Sequence, residues 1–198
     1  TFTRADGLAG NQIYTLTHDS QGILWVGSTN GLNRYDGESF TTFTRADGLA
    51  ADNIYALESG SDGTLWIGSG ADVEENRGTL SSYKNGRFRP FTGEGLLGAS
   101  QINALLEDRE GGLWIAGGGG LMRYGGNDFA YFAVGTDGVP AQVLTLQRDN
   151  NGQIWMGSRL GVSRYHNGRW NKEDKHANGS VNSLELDARG RLWTGSEN

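Results

Sequence analysis

The stretch Gly22-Ile23-Leu24-Trp25-Val26-Gly27, a glycine turn that runs into a tryptophan-centred strand, occurs with variations four more times in this 198-residue chain. The other copies are Gly63-Thr64-Leu65-Trp66-Ile67-Gly68, Gly111-Gly112-Leu113-Trp114-Ile115-Ala116, Gly152-Gln153-Ile154-Trp155-Met156-Gly157 and Gly190-Arg191-Leu192-Trp193-Thr194-Gly195. Successive tryptophans are 41, 48, 41 and 38 residues apart (25 to 66, 66 to 114, 114 to 155, 155 to 193). Several short strands repeated at a period near 41 predict the blades of a β-propeller.

Each copy contains four strand-like pieces. A short apolar strand is followed by an Asp-x-x-Gly turn, the tryptophan strand, a Gly-Leu-x-Arg-Tyr strand, an Asx-Gly turn and an outer strand with paired aromatics. Asx-Gly pairs between apolar runs are strong hairpin signals, so each copy reads as a four-stranded antiparallel meander. We therefore predict an all-β chain that forms one β-propeller region over 1–198, with four complete blades and one split partial blade. The predicted blades are 11–44, 52–92, 100–133, 141–173 and a partial blade made of 179–198 with 1–3.

The recurring tryptophans are predicted to fill the space between blades. The alternative is a row of exposed tryptophans that stack on carbohydrate, but apolar neighbours flank most of the copies and favour burial. In the second copy Gly60 replaces the turn aspartate, so that turn is expected to be looser. The arginines of the third strands, Arg34, Arg123 and Arg164, are expected to pair between blades.

Composition excludes several functions. The net charge of −6 and the pI near 5.0 argue against nucleic-acid binding, which normally requires a basic face. No apolar run is long enough to predict membrane insertion. The absence of cysteine excludes disulfides, thiolate nucleophiles and zinc–cysteine sites. The three histidines, His18, His166 and His176, lie at unrelated repeat positions, and no nucleophile elbow or P-loop occurs. We therefore predict no catalytic residues, no metal and no cofactor.

The pattern Gly-Leu…Ile-x-x-Leu…Asp-x-x-Gly-x-Leu-Trp-Ile-Gly-Ser…Gly-Leu-x-Arg-Tyr…Phe-x-x-Phe-Thr resembles the two-component regulator propeller repeat. The resemblance runs through 6–44, 47–92, 95–133, 138–170 and 179–196. It implies a seven-bladed propeller in the periplasmic sensor half of histidine kinases, hybrid regulators or diguanylate cyclases. It further implies a non-catalytic, ligand-sensing module in a periplasmic or extracytoplasmic setting, with a small molecule or oligosaccharide as ligand. A protein–protein interaction scaffold is the first alternative, and a propeller lyase or glycosidase is the second.

Residues 1–9 recur identically at 42–50, so the chain opens on the end of an outer strand. Three arrangements follow from this. The favoured one is a fragment of a larger propeller that further blades complete. The others are a five-bladed ring with a defective seam and a homo-oligomer in which other copies complete the ring.

A ligand site is expected on the face shared by two sets of loops, those joining outer to inner strands and those joining second to third strands. One candidate set comprises the polar residues that precede the inner strands, namely Gln12, Asn53, Gln101, Gln142 and Ser180. These side chains would offer hydrogen bonds to a polar ligand. The alternative is that they satisfy the backbone groups of their own loops.

Two charged sets complete the candidates. The long interval between the second and third tryptophans contains the acidic residues Asp72, Glu74 and Glu75, which would bind a cation or a basic group unless they form a solvated loop. Arg45 and Arg159, with Arg4 at the position equivalent to Arg45, would hold an acidic ligand such as a uronic acid, unless the shared position of Arg4 and Arg45 reflects only copying of the repeat.

Overall fold

The computed structural model describes residues 1–71, 78–91, 101–132, 134–135, 137–173 and 179–196. These residues form four sheets of four antiparallel strands and one sheet of two, and in every sheet each strand pairs with the next one along the chain. The first blade is β1 (Ile13–His18), β2 (Leu24–Ser28), β3 (Gly31–Tyr35) and β4 (Phe40–Phe43), and the second is β5 (Ile54–Ser59), β6 (Leu65–Ala71), β7 (Gly78–Lys84) and β8 (Arg87–Phe91). The third blade is β9 (Ile102–Glu107), β10 (Leu113–Gly117), β11 (Gly120–Tyr124) and β12 (Phe129–Phe132). The fourth is β13 (Val143–Arg148), β14 (Ile154–Ser158), β15 (Gly161–His166) and β16 (Arg169–Lys172), and the fifth is β17 (Val181–Leu186) and β18 (Leu192–Ser196).

The chain divides into two compact units, Thr1–Leu105 and Leu106–Asn198. The first unit contains the first two blades and the start of β9, and the second unit contains the remaining strands. The all-β class and the four-stranded antiparallel blades are therefore as the sequence predicts. None of the helices in the described part of the chain has the length and hydropathy of a membrane span.

The Asp-x-x-Gly turn makes the corner between the first two strands of a blade. Asp19 Oδ1 accepts hydrogen bonds from the backbone N–H groups of Gln21 and Ile23, at 2.9 and 3.0 Å, while Asp19 Oδ2 accepts from Trp25 Nε1 at 2.8 Å. One carboxylate thus closes the turn and fixes the tryptophan that follows it. The same indole–carboxylate bond joins Trp114 to Asp108, Trp155 to Asp149 and Trp193 to Asp187, at 2.9, 3.1 and 3.0 Å.

The turn of the second blade corrects one expectation, because it is not looser. Gly60 keeps the backbone hydrogen bonds of the other turns: its N–H donates to the Thr64 carbonyl at 2.7 Å, and its carbonyl accepts from Gly63 N at 3.0 Å. Asp62, two residues further on, supplies a carboxylate instead. It accepts from Thr64 N at 2.9 Å and pairs with Lys84 Nζ at 2.5 Å.

Contacts between neighbouring blades repeat within each unit. In the first unit, Trp25 and Leu32 of the first blade share a buried cluster with Ile54, Leu57 and Leu65 of the second. In the second unit, the same repeat positions meet: Trp155 and Val162 of the fourth blade pack with Val181, Leu184 and Leu192 of the fifth. Tryptophan packing between blades is therefore confirmed at these junctions.

Burial of the tryptophans nevertheless varies along the chain. Trp25 and Trp114 are buried, Trp66 and Trp155 are half-buried, and Trp193 is 58% exposed. Trp193 departs from the prediction because the fifth blade comprises two strands in the described residues, and no other described strand covers its tryptophan.

Two of the third-strand arginines, Arg123 and Arg164, correct a second expectation, because they pair within their own blades. Arg123 Nε donates to Asp108 Oδ2 at 2.6 Å, and a second guanidinium nitrogen lies 3.1 Å from Glu110 Oε2. Arg164 lies 3.0 Å from Glu173 and stacks over Trp155, with 5.3 Å to the ring centroid. Antiparallel pairing of the third strand with the tryptophan strand places each arginine opposite its own tryptophan, so intrablade partners lie nearer.

Candidate functional site

The loops predicted to carry a site meet at one end of each sheet. The first residue of the inner strand pairs with a serine at the end of the second strand, as in Ile13 with Ser28 and Val143 with Ser158. The residue before the inner strand therefore lies beside the turn between the second and third strands. We call this end of a sheet the loop end, and the opposite end, where the Asp-x-x-Gly turns lie, the turn end.

In the first unit Gln12 and Asn53 lie at the loop ends of their blades. Their backbone carbonyls accept hydrogen bonds from the neighbouring turn: Thr29 N donates to Gln12 at 3.2 Å, and Gly70 N donates to Asn53 at 2.9 Å. The Gln12 side chain is exposed and that of Asn53 is half-buried. The structure therefore gives their backbones a structural role and leaves ligand binding by their side chains a prediction.

Two other members of this polar set are engaged locally. Gln101 Nε2 donates to Asn103 Oδ1 at 2.7 Å, and Ser180 Oγ donates to Asn182 Oδ1 at 2.9 Å. In both cases the partner is two residues along, on the inner strand that follows. These bonds fit the alternative in which the polar residues stabilise their own segments.

Arg45 begins a short 3₁₀ turn, Arg45–Asp47, and its side chain is exposed. The turn is capped by Thr44, whose backbone N–H and hydroxyl donate to Asp47 Oδ2 at 2.8 and 3.2 Å. The Arg45 backbone N–H donates to Asp52 Oδ1 at 2.8 Å. The backbone at Arg45 is thus held at two points, and the guanidinium is presented from a defined turn. Arg4 is exposed on the equivalent turn, Arg4–Asp6.

The acidic residues Asp72, Glu74 and Glu75 lie outside the described residues. Their role as a cation or basic-group site stays a prediction.

A pair of stacked tyrosines lies next to Gln12 and Asn53. The rings of Tyr14 and Tyr55 are 4.4 Å apart between centroids, with an interplanar angle of 28°. Burial and a hydrogen bond with Tyr14 raise the pKa of the Tyr55 phenol. Each tyrosine is the second residue of its inner strand, where the register shifts by a β-bulge. The Tyr55 ring lies beside Gly70 at the loop end, and Tyr14 remains partly open to solvent.

In the second unit Gln142 and Arg159 flank the paired residues Val143 and Ser158, so the structure brings these two candidates to one loop end. Gln142 is half-buried and Arg159 is exposed. Ser158 shapes the turn that presents Arg159. Its hydroxyl donates to the Gly161 carbonyl at 3.1 Å and accepts from Leu160 N at the same distance.

A groove of about 320 Å³ lies at this loop end. Its walls are largely apolar, with Val134, Val139, Pro140 and Leu160 among the lining residues, and Lys172 stands at its side. Leu160 is 66% exposed, which is unusual for leucine in a repeat whose other leucines are mostly core. An apolar surface with a few polar groups is the composition typical of small-molecule sites.

The floor of the groove is fixed by close packing. Val139 is buried, and its carbonyl accepts from Gly135 N at 2.9 Å. The Trp170 N–H donates to the Asp137 carbonyl at 3.2 Å, which ties the loop to β16. Gly138 has a φ of +74° and lies so close to the Trp170 carbonyl that a Cβ at this position would clash with it. The groove is therefore a built feature of the fold.

Two polar clefts at the turn ends have a structural explanation instead. The cleft of the first unit includes Asp19 and the Asp62–Lys84 pair, and that of the second includes Asp108 with Arg123. These carboxylates are already engaged by the turns, the tryptophans and the cations described above. In the described residues, no group of three or more histidine or acidic side chains is placed to hold a metal ion.

The sequence did not predict the residues that line the groove. One signal was available at Leu160. This turn position holds a polar or small residue in two other blades, Asn30 in the first and Gly119 in the third, so a leucine there is out of pattern. Val134, Val139 and Lys172 become a site only through contacts between separate loops, and no spacing in the sequence encodes those contacts.

A family model described as "Two component regulator propeller" matches residues 7–30, 48–71 and 96–119. No curated protein sequence matches the chain. Among solved structures, the extracellular domain of the hybrid two-component system BT4673 from B. thetaiotaomicron is similar, with 24% identity and a TM-score of 0.76, over 96% of this chain and 26% of that one. The corresponding domain of BT3049 from the same organism gives 18% identity and a TM-score of 0.74, with the same coverage.

Enzymes share the fold as well. Virginiamycin B lyase from Staphylococcus aureus is 14% identical, with a TM-score of 0.72, over 92% of this chain and 62% of the lyase. The chain spans about a quarter of the hybrid two-component domains to which it is similar. Three of the five sequence copies therefore match the two-component regulator propeller model, and the chain has a β-propeller fold.

Proposed function

We propose that this chain, with its two-component regulator propeller repeats, is part of the extracytoplasmic, non-catalytic sensor propeller of a hybrid two-component-type receptor, and that it binds a ligand in the groove beside Leu160. The groove carries the proposal, because it combines an exposed apolar wall with a cation at a loop end of the fold. The fold similarity to extracellular domains of hybrid two-component systems supports the setting.

The chemistry of the groove defines the ligand class. Leu160 and Val134 are exposed apolar side chains, and they offer a surface to one face of a small molecule. Lys172 makes no ion pair within the described ranges of the chain, and it offers its ammonium group to an acidic edge. Arg159, exposed in the adjoining turn, adds a second positive charge near the same loop end. We infer a small acidic molecule or an oligosaccharide with a uronic acid unit.

The test is a binding screen on the purified chain by thermal shift, followed by calorimetry of the hits. The panel contains uronic-acid oligosaccharides, neutral oligosaccharides of the same length and small organic acids. We expect an acidic compound to bind, Leu160→Asp to abolish its binding, and Lys172→Ala to weaken it about tenfold. Tyr14→Ala, which alters the tyrosine pair of the first unit, is the matched control and should leave the affinity unchanged.

The outcomes separate the alternatives. Binding that Leu160→Asp does not alter but Tyr14→Ala abolishes would move the site to the tyrosine pair and refute the groove. Conversion of a bound compound into products, detected by mass spectrometry, would refute a non-catalytic role and favour the lyase or glycosidase alternative. If no compound in the panel binds, the sensor proposal fails for this ligand class.

A further inference from the structure

The carboxylates of the two turn-end clefts are engaged by the protein, but the arginines of the two clefts differ. Each cleft lies where the turn between the first two strands of one blade is beside the equivalent turn of the next blade in the same unit. The third-strand arginine lines both clefts, as Arg34 in the first unit and Arg123 in the second. The clefts therefore compare one repeat position in two surroundings.

In the second unit the chain fills the cleft with its own side chains. Arg123 lies 2.6 Å from Asp108 and 3.1 Å from Glu110. Arg109 reaches across to the next turn, where its guanidinium donates to the Asn151 carbonyl at 3.0 Å. Every charged side chain that lines this cleft is thus engaged within the chain.

The first cleft lacks two of these side chains. Gln21 takes the position of Glu110, and Ser20 takes the position of Arg109. The carboxylate that would face the arginine is therefore replaced by a neutral amide. Arg34 is half-buried, and among the described residues its guanidinium makes no hydrogen bond or ion pair.

The space over the next turn differs in the same way. A Cβ built on Gly152 would be 2.7 Å from Arg109 Cδ, whereas the nearest atom to a Cβ built on Gly63 is Ser20 Oγ, at 3.9 Å. The cleft that remains open in the first unit has a volume of about 250 Å³. Pockets for drug-sized ligands measure about 300–1,000 Å³, so this cleft suits a smaller molecule, the size of one sugar.

The other charges of the first cleft select the kind of anion. Asp19 is engaged by its own turn, and Asp62 lies 2.5 Å from Lys84 Nζ. Because two carboxylates line the cleft, a doubly charged anion such as phosphate would be repelled more strongly than a singly charged one. A single carboxylate is also the group that Glu110 supplies to the arginine of the second unit.

We propose that the first cleft binds a small hydroxy acid, with the carboxylate of the ligand on Arg34 and its hydroxyl groups among Ser20, Gln21 and Asn85. These three side chains line the cleft, are exposed, and offer hydroxyl and amide groups to a polar molecule. The site belongs to the first unit and to a turn end, whereas the groove beside Leu160 belongs to the second unit and to a loop end.

The test is an NMR titration of the ¹⁵N-labelled chain, followed through the Arg34 Nε–H and the Trp25 indole N–H, since both residues line the cleft. The probes are gluconate, sorbitol and inorganic phosphate. Sorbitol is the neutral polyol with the same carbon chain as gluconate. We expect gluconate to bind with a Kd of about 1 mM, and sorbitol and phosphate to bind at least about tenfold more weakly.

Two variants test the arginine and the empty position beside it. Arg34→Gln removes the cation and should weaken gluconate binding at least about tenfold. Gln21→Glu introduces the carboxylate that the second unit has, so it should weaken gluconate binding to the same extent and shift the Arg34 Nε–H signal without any ligand. Arg4→Gln, which replaces an exposed arginine on a 3₁₀ turn of the same unit, is the matched control and should leave the affinity unchanged.

Circular dichroism and thermal melting confirm that each variant is folded. No binding of gluconate, equal binding of sorbitol, tighter binding of phosphate, or an affinity that Arg34→Gln and Gln21→Glu leave unaltered would each overturn the proposal. Loss of gluconate binding in Leu160→Asp would move the acid to the groove, which overturns this site and supports the proposed sensor function. Failure of the groove screen, in turn, leaves the titration of the first cleft unaffected.

Discussion

The corners at Trp114 and Trp193 are built from the same residues but differ in what surrounds them. In both, an aspartate six residues earlier accepts the indole N–H, at 2.9 Å from Asp108 and 3.0 Å from Asp187. Trp114 is 2% exposed and packs on Phe132, Tyr165 and Trp170, whereas Trp193 is 58% exposed. The local sequence therefore suffices to form the corner, while burial of the tryptophan comes from the neighbouring blade.

Replacement of the two tryptophans should give the largest difference in stability between the buried and the exposed corner. Trp114→Ala is expected to lower the free energy of unfolding by about 3–5 kcal/mol, because it removes a buried ring and leaves a cavity. Trp193→Ala should cost less than about 1 kcal/mol, since the ring it removes is largely hydrated already. Urea denaturation at low protein concentration, where association adds nothing to stability, measures both. Equal losses would contradict the packing explanation.

Replacement of the two corner aspartates should give the next largest difference in stability between the buried and the exposed corner. Asp108→Ala leaves the half-buried Arg123 and the buried Trp114 indole without their acceptor, so a loss of about 2–4 kcal/mol is expected. Asp187→Ala should cost much less, because Arg191 and Trp193 are exposed and water replaces the carboxylate.

Asp108→Asn refines the same comparison. It retains an acceptor for the Gly112 backbone N–H, which donates to Asp108 at 2.8 Å, while it removes the charge. A stability midway between those of the natural chain and Asp108→Ala would assign part of the loss to the Arg123 ion pair. Urea denaturation of the three proteins side by side provides the measurement.

Replacement of Gly157 and Gly195, which occupy the same position in the tryptophan strands of the fourth and fifth blades, should give a smaller contrast. Gly157→Ala places a Cβ 2.9 Å from the Val181 carbonyl and 2.6 Å from Thr145 Cγ2, so the fourth and fifth blades must separate slightly. We expect a loss of about 1–3 kcal/mol. In Gly195→Ala the new methyl meets the Ser183 side chain and no other described residue, and the Ser183 hydroxyl is able to rotate away, so the loss should be smaller. Thermal melting of the two variants, compared with the natural chain, tests the ranking.

The smallest expected effect is on acid stability at the exposed corner. Hydrogen bonds from the Arg191 backbone and the Trp193 indole lower the pKa of Asp187 from the ordinary value of 3.8 to about 2. This contribution is fully present above the ordinary value and is lost as the pH falls toward about 2. Asp187→Asn should therefore weaken the dependence of stability on pH in that range and leave it unchanged near neutral pH. Urea titrations at a series of acidic pH values measure the slope, and an unchanged slope would contradict the assignment.

At the buried corner, burial alone would raise the pKa of Asp108, but the hydrogen bonds from Arg123, Gly112 and Trp114 and the positive charge of Arg123 together outweigh it, and the net shift is downward. Stability should therefore also fall with acid at this corner, and Asp108→Asn gives the matched comparison.

The elements of the fold that the sequence predicts are those with local causes. The two Asn-Gly hairpins form because Asn85 and Asn167 adopt a φ of +52° and the following glycines are also left-handed. The turn at Gly60 was predicted wrongly because Asp62 supplies a carboxylate from a different position. The partners of Arg123 and Arg164 were predicted wrongly for another reason, since the spacing of the repeat predicts the strand but not which side chain each arginine contacts.

For the candidate site, the sequence predicted only that it lies at the loop ends of the sheets. Gln142 and Arg159 do lie together, because strand pairing places them side by side. The groove beside them depends on the contact of Gly138 with Trp170, two residues more than thirty positions apart in different loops and strands. Such a contact arises when the blades pack, and no local sequence pattern predicts it.

The corner bonds also bear on the order in which the chain folds. Asp19 and Trp25 are six residues apart, whereas the Asp62–Lys84 pair closes a segment of 22 residues. Contacts between residues close in sequence cost little chain entropy and form early. We therefore expect the four aspartate corners to act as independent nuclei, and we expect the second blade to form its local turn bonds equally early but its Asp62–Lys84 ion pair later. Because each nucleus depends only on its own few residues, folding has several starting points along the chain.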